Sequence, residues 1–171
     1  NASTTIEKFA YDGSSKGLVE LPGIGTAGIS TEEDRTEAYL AFESYNEPDS
    51  IYRLDLADGA RALWERSKVP VDPSLAEVKQ VWYSSKDGTK ISMFIVHKKG
   101  LKLDGNNPTI LYGYGGFTVS ETPRFIPTLF TWLEDGGVFA APNLRGGGEY
   151  GEAWHLAGTK TKKQNVFDDF A

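Results

Sequence analysis

The chain has 171 residues, 39% hydrophobic and 12% aromatic side chains, and a formal net charge of −6, which suits one domain or two small ones and excludes a disordered composition. It has no cysteine, which removes disulfides, thiolate zinc sites and a cysteine nucleophile. Residues 1–76 carry 14 acidic and 7 basic side chains and residues 77–171 carry 10 and 11; with no basic patch among aromatics and no apolar run near about 18 residues, neither nucleic acid nor a membrane is expected as a partner.

Residues 1–15 are polar and weakly patterned. Strand-like runs then alternate with turns: 17–21, 37–44, 50–56 and 60–65, separated by Pro22-Gly23, Asn46-Glu47-Pro48-Asp49 and Asp58-Gly59, all residues that favour turns. Tyr52, Leu54 and Leu56 alternate with Arg53 and Asp55, the period of a half-buried strand. Four antiparallel strands at this spacing resemble one blade of a β-propeller, or a small meander. Pro70 and Pro73 mark a linker, so the expected division is a propeller segment over 1–70 and a second unit over 71–171. Runs 77–84 and 90–97 are joined by Asp87-Gly88, a hairpin signal. Residues 109–112 read as a short buried strand. Ile126, Leu129, Phe130 and Leu133 have helical spacing, stopped by Gly136-Gly137. Residues 138–142 read as the next buried strand, expected to leave an unpaired sheet edge. Val166, Phe167 and Phe170 open a last amphipathic turn whose apolar face has barely begun, and the expectation is a fragment of a longer protein, marginally stable alone.

The chemistry concentrates after the strand at 109–112, in Gly113-Tyr114-Gly115-Gly116-Phe117. Three glycines in five residues permit close backbone approach, and two aromatics on a turn exceed what packing needs. In α/β-hydrolases the loop after the third strand supplies an oxyanion-hole donor, and Tyr114 fits that place, because a phenol stays protonated at neutral pH and donates to developing charge; the other reading of these residues is a core strand that ends in a glycine-rich turn. A second loop contains Gly146, Gly148 and Gly151, with Asp168 and Asp169 further on, which matches a dinucleotide fingerprint. Such a fingerprint should open the first βα unit of its domain, and here strands and a helix precede it. His97 and His155 are the only histidines and form no metal motif. His97, beside Lys98 and Lys99, is expected to be solvated; His155 is expected to be structural and in a loop. Ser84, Ser85, Ser92 and Ser120 lie in no nucleophile-elbow motif. Neither a metal nor a cofactor is expected.

The stretch from Tyr83 to Phe117, with YGYGGF at its end, followed by NLRGGGEYGEAWH and KKQNVFDDF, closely resembles the prolyl oligopeptidase family from about residue 78 to 170, and residues 17–65 resemble its last propeller segment. The resemblance implies an α/β fold: the N-terminal part of an α/β-hydrolase sheet, preceded by propeller-blade-like antiparallel strands. It implies a serine peptidase acting on short proline-containing peptides, Tyr114 as an oxyanion-hole residue, and Phe117 as an aromatic against the substrate proline. It also implies a triad C-terminal to this region, so the remainder of the polypeptide is the expected partner and the 171 residues alone should be inactive. The location implied is cytoplasmic, with periplasmic the alternative. Two other readings stay open: a non-catalytic binding or structural module, and a dinucleotide-binding α/β protein.

Overall fold

A computed structural model describes residues 2–171. The N-terminal strands β1 (Glu7–Phe9) and β2 (Ser15–Leu18) form a two-stranded antiparallel ribbon. Next, β3 (Thr26–Thr31), β4 (Glu37–Ser44), β5 (Glu47–Asp55) and β6 (Arg61–Arg66) form an antiparallel meander in chain order, as a blade requires. The period of two is explicit in β4 and β5, where Ala38, Leu40, Phe42, Tyr52 and Leu54 turn inward and their neighbours do not.

The first blade strand differs from the expectation. It is Thr26–Thr31, not 17–21, because its residues are small and mostly exposed and carry little apolar period. Val19 and Leu21 instead cover the blade's apolar face, packing with Ala38, Leu54, Leu40 and Phe42. The strand expected at 50–56 also begins earlier, at Glu47, and takes in Pro48.

After a 3-10 turn at Pro73–Leu75, β7 (Ala76–Ser84) and β8 (Lys90–Lys98) form the expected hairpin around Asp87 and Gly88. The strand β9 (Thr109–Leu111), the helix α1 (Leu129–Glu134) and the strand β10 (Val138–Pro142) follow. The sheet order is β7-β8-β10-β9, with β10 antiparallel to β8 and parallel to β9. A parallel pair needs a crossover rather than a hairpin, and α1 lies in that connection. The helix starts later than its apolar spacing suggests, because Ile126 precedes Pro127 and proline disfavours the helical region in the residue before it.

Two further expectations are corrected here. Residues 138–142 are no edge: β10 is paired on both sides and every residue of it is buried. The edges are β7 and β9, and the residues of β9 are exposed rather than buried. His97 is not solvated either. It lies on β8 between Glu77 and Val138, is 1% exposed, and its Nδ1 is 2.9 Å from the Lys98 carbonyl oxygen.

The blade's apolar residues form clusters of their own, and Tyr45 joins the blade to the core of the mixed sheet. Tyr45, just after β4, inserts among Phe94, Phe139, Leu129 and Phe130, with ring centroids 5.9 Å from Phe94 and 5.8 Å from Phe139. Burying one such side chain contributes about 1.5–3 kcal/mol. Thr26 Oγ1 donates to the Pro123 carbonyl at 2.7 Å, and Glu43 accepts from the Phe125 N–H at 3.1 Å across the same boundary. The short helices α2 (Glu152–Leu156) and α3 (Gln164–Phe170) complete the chain. Among the described residues no helix is long and apolar enough to cross a membrane.

Candidate active site

Because β9 and β10 are parallel neighbours, the loops that leave their C-terminal ends emerge at the same edge of the sheet. In open α/β sheets that edge is where ligands bind. The loop after β9 carries Tyr114 and Phe117; the loop after β10 carries Arg145 and Gly146 to Gly148. They meet closely enough that a Cβ on Gly146 would lie 2.6 Å from the Gly115 carbonyl oxygen, and one on Gly148 would lie 2.4 Å from that of Thr118. Thr118 N–H donates to the Gly146 carbonyl at 3.3 Å and Gly148 N–H to that of Val119 at 3.2 Å.

This contact replaces the dinucleotide reading. The faces of Gly146 and Gly148 that would approach a pyrophosphate are filled by the backbone of 115–118, and the helix behind them, α2, has only five residues. Asp169, at the acidic position of such a fingerprint, is fully buried against Arg145.

Tyr114 and Phe117 stand side by side, ring centroids 6.5 Å apart. Their exposures, 47% and 86%, rule out core packing as the reason for Phe117. The hydroxyls of Tyr52, Tyr83 and Tyr150 are committed to Glu47, the Asp169 carbonyl and Ser92, whereas Tyr114 is presented at the surface. The loop is held in an uncommon conformation: Phe117 and Thr118 have φ of +53° and +59°, which costs about 1–3 kcal/mol each and persists only where surroundings over-determine it.

Those surroundings are identifiable. Leu144 and Phe170 fill the space beside Gly113, and Val166 fills that beside Gly115. Val166, Asp169 and Phe170 share one face of α3 by their spacing of three and four. Lys163 Nζ donates to the Gly115 carbonyl at 2.7 Å. His155 lies in α2 rather than in a loop, and its Nδ1 is 2.8 Å from the Gly146 carbonyl oxygen. Asp168 accepts from the Gln164 side chain at 3.0 Å.

Beneath the loops lie two polar clusters that sequence reasoning did not find. Arg145 bonds Asp169, Asp87 at 2.6 Å and Ser85 at 3.3 Å. The Asp169 hydrogen bonds, against the cost of burial, and then those to Asp87 raise the Arg145 pKa; the Arg145 hydrogen bond holds the Asp87 carboxyl well below its usual range. Burial, with the Asp169 charge second, pushes the Tyr83 phenol up to about 12. In the other cluster Ser92 Oγ donates to Asn143 Oδ1 at 2.8 Å, Asn143 Nδ2 donates to the Glu121 carbonyl at 2.8 Å, and Glu149 accepts from Glu121 N–H at 2.9 Å. No local motif announces these partners, which lie 22 to 60 residues apart in the chain. Among the described residues no group of three His, Asp or Glu side chains could hold a metal.

Comparison with known proteins agrees with this architecture. A model of the N-terminal β-propeller domain of prolyl oligopeptidases matches residues 1–67, and one of the prolyl oligopeptidase family matches residues 123–171. A prolyl endopeptidase of Elizabethkingia miricola is 46% identical over 99% of this chain, which spans 24% of that relative's length. A solved prolyl endopeptidase superposes with a TM-score of 0.86 at 49% identity, over 99% of this chain and 25% of the other. Prolyl oligopeptidase B from Galerina marginata gives 0.90 at 40% identity over the same shares, and it has also been solved with a 35mer hydrolysis and macrocyclization substrate bound. The chain therefore spans about a quarter of the relatives it matches. With its blade, its mixed sheet and its sequence all matched, the chain belongs to the prolyl oligopeptidase family.

Proposed function

We propose that these residues serve a serine endopeptidase that cleaves short peptides on the carboxyl side of proline, with residues 1–70 contributing to a propeller and 71–171 beginning the catalytic domain. Tyr114 donates its hydroxyl to the oxyanion of the tetrahedral intermediate, and Phe117 packs its ring against the pyrrolidine of the substrate proline. The attacking serine and its base come from outside these 171 residues; His155 and Asp168 have no part in the triad. In the acylation step the base takes the serine proton, the serine oxygen bonds to the scissile carbonyl carbon and charge develops on the carbonyl oxygen; the C–N bond then breaks as that proton passes to the leaving nitrogen.

One observation carries the reading. A strained loop at the C-terminal edge of a parallel strand pair presents an exposed phenol and an exposed aromatic ring side by side. A donor acts in catalysis only if it is fixed before charge develops, and the packing around Gly113 and Gly115 supplies that fixity. The test is Tyr114→Phe in the full-length protein, assayed on a short peptide with proline at the cleavage site. The expected result is a loss of about 10²–10³ in kcat with little change in KM. Weaker binding with unchanged kcat would overturn the assignment. A fluorophosphonate probe that adds no mass to the full-length protein would overturn the serine-peptidase reading.

A further inference from the structure

We infer that Lys163 is a positioning residue for the oxyanion site: its ammonium holds the Gly115 carbonyl and so fixes the direction in which Tyr114 points. The inference rests on the reading of Tyr114 given above.

The Gly115 carbonyl belongs to the Gly115–Gly116 peptide, one peptide beyond Tyr114 in the loop. Glycine at both positions leaves this peptide without side-chain restraint, so its orientation is set from outside. On one side the Gly115 carbonyl faces the Cα of Gly146. On the other, Lys163 Nζ donates to it at 2.7 Å, a charge-assisted bond and therefore about twice as strong as a neutral one. The Lys163 ammonium also lies 5.9 Å from the centre of the Phe167 ring, and its backbone precedes α3, which Asp169 locks to Arg145. The donor is thus mounted on a fixed element 48 residues away in sequence.

The other restraints on the loop are apolar contacts and backbone bonds that any well-packed turn makes. Lys163 differs because it compensates the carbonyl of the residue that follows the donor. Without it, rotation of the Gly115–Gly116 peptide swings Tyr114 away from the developing oxyanion. A misplacement of about 1 Å is enough to cost up to about 100-fold in rate.

The test is a double-mutant cycle in the full-length protein, with kcat and KM measured on a short proline peptide. Lys163→Met keeps an unbranched aliphatic side chain and removes the donor. It is expected to lower kcat by about 10–100-fold with KM nearly unchanged, and Lys163→Arg is expected to restore most of the loss. In a Tyr114→Phe background Lys163→Met should cost nothing more, because the group it positions is gone. Lys163→Gln serves as a second truncation if Lys163→Met lowers the melting temperature. Wild-type kcat in the truncated protein, beside a slow Tyr114→Phe, overturns the role of Lys163 alone. Losses that multiply in the double variant overturn it as well, by making Lys163 independent of Tyr114. Wild-type kcat in Tyr114→Phe overturns the oxyanion reading itself, and this inference with it.

Discussion

Asp169 receives three N–H groups of Arg145: the backbone N–H at 3.0 Å, Nε at 3.0 Å and Nη2 at 2.6 Å. The pair is buried, Asp169 completely, and it ties α3 to the loop after β10. A buried ion pair is not in itself strong evidence of stability, but breaking one withdraws the main compensation from a buried charge, and Arg145 would keep only Asp87 and Ser85. Asp169→Ala should therefore destabilise the fold by about 3–5 kcal/mol, read as a shift in the urea midpoint. A shift no larger than that of an exposed substitution such as Asp58→Ala would contradict this account.

The second partner of Arg145 gives a pH dependence. Asp87 has a folded pKa depressed below its ordinary value of 3.8, chiefly by the Arg145 hydrogen bond. A depressed pKa means stability that is fully present above the unfolded pKa and lost as pH falls through the folded one. Denaturation midpoints of the wild type and Asp87→Asn should thus differ by a constant above about pH 5 and converge as the pH drops below about 4. A difference that widened on acidification would have the wrong sign.

The contact between the two glycine loops predicts a third outcome. Gly146 has φ of +91° and faces the Gly115 carbonyl, so Gly146→Ala is strained both in its own backbone and against its neighbour. It should destabilise by more than about 1 kcal/mol and lower kcat as well, since the displaced loop carries Tyr114. Unchanged kcat on the proline peptide would show that the Tyr114 loop tolerates movement.

Phe117 separates specificity from stability. Its ring is largely exposed, so Phe117→Ala should leave thermal stability within about 0.5 kcal/mol of wild type. On the proposed role, kcat/KM for a peptide with proline at the cleavage site should fall at least about tenfold relative to the same peptide with alanine. Parallel losses for both peptides would remove Phe117 from the proline pocket.

Much of this architecture was legible from local pattern. Alternation in 52–56 and the Asp87-Gly88 turn identified β5 and the β7–β8 hairpin, because each signal is complete within a few residues. The strand β3 was not legible, since Thr26 to Thr31 are small and mostly exposed and the strand is defined by its partner β4. His97 was misread for a related reason: flanking lysines suggest solvent, but β8 is paired on both sides and buries the residue anyway. At the candidate site, Tyr114 and Phe117 stood out as aromatics among glycines. Lys163 did not, because its bond to Gly115 depends on where α3 comes to rest and has no counterpart in nearby sequence.

The insertion of Tyr45 has a thermodynamic consequence. Its ring leaves the blade and completes a core built from β8, β10 and α1, so opening either sheet exposes apolar surface of both. The two sheets should consequently behave as a single cooperative unit, and the slowest-exchanging amides of β4 and β8 should share one opening free energy. Tyr45→Ala uncouples them, and in that variant the amides of β4 should exchange well before those of β8.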